Sequence, residues 1–181
     1  MPTSVTKDRP RTAKPGCASA VDIIELVLPN DTNQLGNLLG GRLMHWVDIA
    51  AALSAQRHSN RISVTASMDE MSFLAPVKLG QVVHLRASVN HAFRTSMEVG
   101  VHVDVEDFKT GDTRHVSTAY LTFVAIDEFG HAVMVPEVIP ESEDEKRRYE
   151  AAKARREQRL RRREEFAELE RRRLERAKQP A

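Results

Sequence analysis

The chain has 181 residues, of which 41% are hydrophobic and 29% are charged, and its formal net charge is +1. This length and composition fit one globular domain with some tail sequence and exclude two ordinary domains. No apolar run approaches the roughly 20 residues that cross a bilayer, and residues 1–20 lack the apolar core of a signal peptide, so we expect neither membrane insertion nor export.

The charges are unevenly distributed along the chain. Residues 141–181 contain 15 Lys and Arg against 11 Asp and Glu, which leaves residues 1–140 with a net charge of −3. A mildly acidic body is not the basic surface expected of a nucleic-acid-binding protein. Cys17 is the only cysteine, so no disulfide can form within the chain, which fits a cytoplasmic location.

Composition divides the chain into three parts. Residues 1–20 contain three prolines and are expected to be a flexible arm, whereas residues 21–139 have the pattern of one packed domain. Residues 140–181 form a charged tail, rich in helix formers and without Gly or Pro between 141 and 178. The tail is predicted to be a long helix or partly disordered arm that buries little of the domain. The alternative is that its arginine triplets bind an acidic partner or nucleic acid.

The first elements of the domain are a strand and a helix. The apolar strand at residues 21–28 ends at Pro29. After Gly40 and Gly41, a helix is predicted from about Arg42 to His58. Its apolar residues cover nearly the whole circumference, which is typical of a helix buried on most sides.

After Asn60, apolar and polar residues alternate with the period of two that is typical of strands with one buried face. The predicted strands cover residues 62–67, 71–74, 83–89, 97–105, 115–126 and 131–135. One strand, a buried helix and consecutive antiparallel strands pack well when a curved sheet wraps around the helix. The sequence therefore predicts an α+β protein with the hotdog architecture.

Asp48 lies in the middle of the apolar helix, where a charge is costly unless it is paired or hydrogen-bonded. One interpretation is a structural acid that bonds to a neighbouring strand or pairs with His45, one turn earlier. The other is a catalytic acid, because carboxylates in clefts are often the groups whose protonation is tuned for chemistry. The residue types alone leave both open.

Two features before the helix are equally ambiguous. Amides at Gly40 and Gly41 could polarise a carbonyl at the helix N-terminus, although a tight turn is the simpler explanation. Asn33 could position a water or a thioester oxygen, although on its own a turn residue is the simpler interpretation. The histidines show no metal-ligand spacing and no serine lies in a nucleophile elbow, so we predict neither a metal centre nor an α/β-hydrolase.

Four segments resemble, in order and spacing, the hotdog-fold acyl-CoA thioesterases, a family that includes broad-specificity bacterial enzymes and mammalian cytosolic acyl-CoA hydrolases. They read LPNDTNQLGNLLGGRLMHWVD at residues 28–48, VTASMD at 64–69, FLAPVKLG at 73–80 and RTSM at 94–97. Leu39 stands where the family usually has Phe. The resemblance implies hydrolysis of acyl-CoA to a fatty acid and coenzyme A, a step of lipid metabolism that needs no metal or other cofactor.

The resemblance also implies roles for individual residues. The family's essential acid falls on Asp48, and its loop asparagine, which faces the acid across a dimer interface, falls on Asn33. Gly40 and Gly41 fall where the thioester carbonyl is polarised.

A further matching segment lies near the coenzyme A groove and consists of Arg94, Thr95 and Ser96. The family also implies a homo-oligomer built from hotdog dimers, often three of them in a hexamer.

Two other functions remain open from the sequence. A hydratase or dehydratase of the same fold would need a histidine near the helix, for which His45 is the candidate. A non-catalytic acyl-CoA-binding or scaffolding protein would instead work through its charged tail.

Overall fold

The computed structural model describes residues 12–69 and 71–177 and places one helix inside a curled sheet. In chain order, the elements are β1 (Lys14–Pro15), β2 (Val21–Leu26), α1 (Gly40–Ser59), β3 (Ile62–Met68), β4 (Val82–Ala92), β5 (Ser96–Asp107), β6 (Asp112–Ile126), β7 (Val138–Ile139) and α2 (Glu143–Ala177). Short 3-10 turns cover Gly16–Ser19 and Pro29–Asp31.

Five strands form one antiparallel sheet in the order β2-β4-β5-β6-β3, and β1 pairs with β7 in parallel beside it. Helix α1 packs against the concave face of this sheet. The predicted hotdog architecture is therefore confirmed.

The core lies between α1 and the inner face of the sheet. Alternate residues of β4, β5 and β6 point toward the helix, as the period of two predicts. The helix contributes small residues, which let it approach the sheet closely. The core residues from these elements include Leu43, Val47, Ala50, Ala51, Ala55, Leu85, Val99, Val101, Leu121 and Phe123.

Two predicted strands are wrong. Residues 71–74 and 131–135 contain no strand, although Leu74 N–H donates to the Val116 carbonyl and Ile126 forms an isolated bridge with Ala132. Only some of their apolar residues are shielded from solvent, such as Met71 and Val135, whereas Leu74 is 65% exposed. An apolar pattern alone does not produce a ladder of backbone hydrogen bonds.

The predicted flexible arm needs correction for residues 12–20, while residues 1–11 lie outside the described part of the chain. Lys14 Nζ donates to the His58 carbonyl at 2.7 Å, and the buried Ser19 hydroxyl accepts a bond from the Val89 amide at 3.0 Å. These partners lie far away in sequence, so local composition could not reveal them.

His58 is a packing residue at the end of α1. Its ring is fully buried, and Nε2 lies 3.0 Å from the Pro136 carbonyl oxygen. Burial lowers the pKa of His58 and so favours the neutral ring.

The charged tail packs on the convex face of the sheet through its first half. Glu98 of β5 is fully buried and accepts a bidentate bond from Arg155, whose guanidinium also lies over the Tyr120 ring. One turn further along α2, Arg159 pairs with Asp69 at 2.9 Å. The expectation that the tail buries little of the domain is therefore wrong for this half.

None of the helices within residues 12–69 and 71–177 combines the length and apolarity needed to span a bilayer.

The contribution of the buried Arg155–Glu98 ion pair to stability can be tested. Arg155→Ala should lower the free energy of unfolding by about 3–5 kcal/mol, because it leaves the buried Glu98 carboxylate without its cation. The matched control is Arg163→Ala, which truncates an exposed arginine about two turns further along α2 and should change stability by less than about 0.5 kcal/mol. Chemical denaturation of both variants measures the difference, and equal stabilities would show that the Arg155–Glu98 pair does not hold α2.

Candidate active site

Asp48 is half-buried on α1, and its Oδ1 accepts a hydrogen bond from the Thr65 hydroxyl of β3 at 2.7 Å. The two elements are adjacent because Asn60, which adopts a left-handed conformation (φ 51°), ends the helix and turns the chain directly into the strand. An ionised carboxylate accepts through two oxygens, so one bond fixes its orientation and leaves lone pairs for a water or substrate.

The alternative pairing of Asp48 with His45 is not found. His45 is exposed, and no hydrogen bond or ion pair joins the two side chains within the described residues. The bond to Thr65 fits a structural acid as well as a catalytic one. A buried structural acid must be paired or hydrogen-bonded, whereas Asp48 is half-buried and accepts one side-chain hydrogen bond from the described residues.

Gly40 and Gly41 are the first two residues of α1. Leu39, at the N-cap, provides no side-chain cap, and neither glycine amide has an acceptor within the described part of the chain. A Cβ added to Gly41 would meet nothing within 4 Å, and one added to Gly40 would approach only the Phe73 ring, at 3.4 Å. These amides are therefore accessible to an acceptor from outside the chain.

Asn33 shows the turn chemistry that was its simpler interpretation. Its Oδ1 accepts bonds from the amides of Leu35 at 2.9 Å and Asn37 at 3.2 Å. An ion pair of 2.8 Å between Asp31 and Arg42 holds this loop against the start of α1. Asn33 is exposed, and within one chain no described hydrogen bond joins it to Asp48.

Arg94, Thr95 and Ser96 lie at the turn between β4 and β5. Ser96 is in register with Val124 of β6, which is in register with Val64 of β3. The turn is thus two strands away from β3, roughly 10 Å at the usual strand spacing. The Arg94 side chain is exposed and has no described partner.

Thr65 was missed as a functional residue. It lies within the VTASMD segment that carries the family resemblance, but a threonine in a strand is ordinary, so only its contact with Asp48 singles it out. The sequence feature that could have identified Thr65 is its hydroxyl, on the strand that immediately follows the helix with Asp48.

The surface around Asp48 is apolar and uncovered. The prediction that α1 is buried on most sides is therefore wrong for the single chain. We call this surface the open face. It comprises Met44, Ile49 and Leu53 of α1, which are between 39% and 46% exposed, together with the adjoining edge of β3. Ser63 and Thr65 of β3 bond to α1, so the exposed Ile62 and Val64 lie on the other side of that edge strand.

Comparisons with known proteins agree with this geometry. The family model of the thioesterase superfamily matches residues 35–111. An uncharacterized acyl-CoA thioester hydrolase of Bacillus subtilis is 45% identical over 119 residues, which are 66% of this chain and 69% of that protein. The chain belongs to the hotdog-fold acyl-CoA thioesterase family.

Other members differ in length. Acyl-coenzyme A thioesterase 11 of Mus musculus is 44% identical over 140 residues, which are 77% of this chain. This chain spans only 23% of that mouse relative.

Solved structures of the family superimpose closely. A hexameric acyl-CoA thioesterase has a TM-score of 0.82 at 41% identity, with 84% of this chain and 97% of that chain covered. The acyl-CoA hydrolase of Staphylococcus aureus, solved with butyryl coenzyme A, coenzyme A and coenzyme A disulfide, has a TM-score of 0.82 at 37% identity, with 87% and 96% covered.

The contact between Thr65 and Asp48 can be tested directly. Thr65→Val should lower acyl-CoA turnover about 10- to 100-fold, because a hydrogen bond to a charged group contributes about 1.5–3 kcal/mol. Thr65→Ser keeps the hydroxyl and should stay within a few-fold of the parent. Steady-state thiol release measures both, and a valine variant as active as the serine variant would remove Thr65 from the site.

Proposed function

We propose that this chain hydrolyses the thioester of acyl-CoA to a fatty acid and free coenzyme A. The observation that carries the proposal is the Asp48 carboxylate, held by Thr65 on an open apolar face. Membership of the acyl-CoA thioesterase family supplies the substrate class.

The relatives support the choice of residues. The S. aureus acyl-CoA hydrolase has been solved as three alanine variants, in which an asparagine, an aspartate and a threonine are replaced, with intervals of 15 and 17 positions between them. Asn33, Asp48 and Thr65 are separated by the same two intervals. We infer that these three residues form the corresponding set in this chain.

In the proposed reaction, Asp48 activates the attacking group. As a general base it takes a proton from water, whose oxygen bonds to the thioester carbon; as a nucleophile it bonds to that carbon itself and forms an anhydride that water then hydrolyses. In both routes the carbon–sulfur bond breaks and the coenzyme A thiolate leaves. Amides at the start of α1 stabilise the negative carbonyl oxygen.

The geometry supports a site shared between two copies. Gly41 and Asp48 are seven residues apart, or about 11 Å along the axis of α1. When the carboxylate itself attacks, an amide about 3 Å from the carbonyl oxygen and a carboxylate oxygen about 3 Å from the carbon reach across only about 7 Å in total. For this route, the amides and the carboxylate that act on one thioester are better supplied by different subunits.

The same reasoning assigns the open face to a second copy. The edge strand β3 has unpaired backbone groups beside exposed apolar side chains, a combination that favours pairing with another strand. We propose a dimer through this face, with Asn33 of one subunit near Asp48 of the other, and three dimers in a hexamer.

Further parts of the proposal concern the substrate and its setting. Arg94, Thr95 and Ser96 are assigned to the coenzyme A groove because their segment matches the family's, and they lie at a turn two strands away from β3. The steps above use only protein groups and water, so no metal or cofactor is assigned to the reaction. We place the activity in lipid metabolism and in the cytoplasm, consistent with the single cysteine.

The rival functions differ in what they require of the site. A hydratase needs a histidine paired with the acid, and no hydrogen bond or ion pair joins His45 to Asp48 within the described residues. A non-catalytic acyl-CoA-binding protein needs no carboxylate base, so substitution of Asp48 separates it from an enzyme.

Asp48→Asn should fold normally and lose about 100- to 10,000-fold in turnover, because it keeps the shape of the side chain and removes the base. His45→Ala, on the exposed side of the same helix, is the matched control and should retain turnover. Thiol release from a panel of acyl-CoAs of different chain length measures both. Turnover of the asparagine variant within a few-fold of the parent would show that Asp48 is not the base.

A shared site predicts complementation between inactive variants. When Asn33→Ala and Asp48→Asn chains are mixed and their subunits exchange, each mixed dimer regains one site with both native residues. Activity should recover to about a quarter of that of the parent, since half of the randomly formed dimers are mixed and each carries one of two sites. Exchange confirmed by mass spectrometry without any recovery would place Asn33 and Asp48 of one site in the same subunit.

A further inference from the structure

Three potential metal ligands meet on the convex face of the sheet. His102 and Asp104 are two residues apart on β5, and His115 lies on β6 opposite Asp104. Asp104 Oδ1 is 3.0 Å from His102 Nε2 and 3.3 Å from His115 Nδ1, and the three ligand atoms all lie within 4.8 Å of one another.

A β-bulge brings His115 into this cluster. Val103 is in register with Ser117, yet the next residue, Asp104, is in register with His115, so Val116 is an extra residue in β6. In a regular ladder Val116 would lie opposite Asp104 and His115 would point to the other face. Bulges re-aim side chains in this way beside functional sites.

Each of two ligands has a partner that would orient it. The Asp104 carboxylate is almost buried and binds the Arg86 guanidinium through Oδ2, which leaves Oδ1 facing both histidines. His115 Nε2 lies 3.1 Å from the Thr118 hydroxyl, so its second nitrogen, Nδ1, faces the cluster. Metal-binding residues are typically held by such outer hydrogen bonds.

We propose that His102, Asp104 and His115 bind a divalent transition-metal ion of the zinc class. Two imidazoles and one carboxylate suit such ions. Ligands about 2.0–2.1 Å from a tetrahedral zinc ion lie about 3.3–3.4 Å from one another, close to the two separations found here. Water supplies the fourth ligand.

Binding requires one local adjustment. The two imidazole rings are stacked, with centroids 4.1 Å apart and planes 12° from parallel, so their lone pairs do not yet converge. The His102 side chain is 47% exposed, which leaves room for its ring to rotate toward the ion.

The ion would join β5 to β6 on the side of the sheet away from α1. It therefore acts on the stability of the fold and takes no part in thioester hydrolysis. The histidines show no metal spacing along the chain because β-sheet register and the bulge, rather than sequence distance, bring them together.

The test is Zn²⁺ binding to the full chain without a histidine tag, followed by calorimetry and by thermal unfolding. We expect one ion per chain and a rise in unfolding temperature of about 5–10 °C at 100-fold excess over Kd, reversed by EDTA. His115→Gln should weaken binding at least tenfold. The matched control is His84→Gln, which alters a histidine on the same face that pairs with Glu106 instead, and it should bind like the parent.

Outcomes that overturn the proposal are equally specific. Absence of stoichiometric binding, or equal weakening by His84→Gln and His115→Gln, would show adventitious binding only. If His115→Gln does not fold, the Zn²⁺ affinity of His102→Gln decides instead. This variant should first be shown to be folded, by an unfolding temperature in EDTA that matches that of the parent in EDTA. Turnover should be unchanged by Zn²⁺ or EDTA, so a failed metal test leaves the proposed hydrolysis untouched.

Discussion

The burial of helix α1 against the curled sheet is the interaction on which the rest of the structure depends. The helix carries apolar residues all round, and five strands cover only its inner side, where Val47, Ala50 and Ala51 are fully buried. The outer side therefore stays apolar and uncovered, with Asp48 in its midst. The side of α1 that one chain leaves uncovered is thus also the side where the Asp48 carboxylate is exposed to solvent. A second subunit that buried this side would complete both the packing of α1 and the site around Asp48.

The charged helix α2 stabilises the opposite face of the sheet by a different means. Its composition is typical of a solvent-exposed helix, yet Arg155 forms an ion pair with the buried Glu98, and Arg159 forms one with Asp69, just beyond β3. Asp69 follows Thr65 by four residues and comes directly after β3. The helix that looked like an accessory tail thus helps fix the strand from which the hydrogen bond to Asp48 is donated.

Much of this fold could be predicted from the sequence, because the period-two alternation of the strands and the apolar residues of α1 indicate which side chains are buried. Asp48 could also be singled out, since a charge among apolar neighbours conflicts with its surroundings. Thr65, the Arg155–Glu98 pair and the cluster at His102 could not, because each depends on the register or docking of elements distant in sequence. Residues 12–20 were predicted to be a flexible arm for the same reason: the bond from the Val89 amide of β4 to the Ser19 hydroxyl joins residues far apart in sequence.

If a second copy must cover the open face for the site to work, Val64→Arg is the most direct test. Val64 is 43% exposed on the edge strand, so an arginine there disrupts the interface and not the core, while Val64→Thr serves as the matched control. Sedimentation and thiol release are measured on the same samples. We predict folded monomers without turnover for the arginine variant and active oligomers for the threonine variant; folded monomers that hydrolyse acyl-CoA at the parent's rate would contradict the need for a second copy.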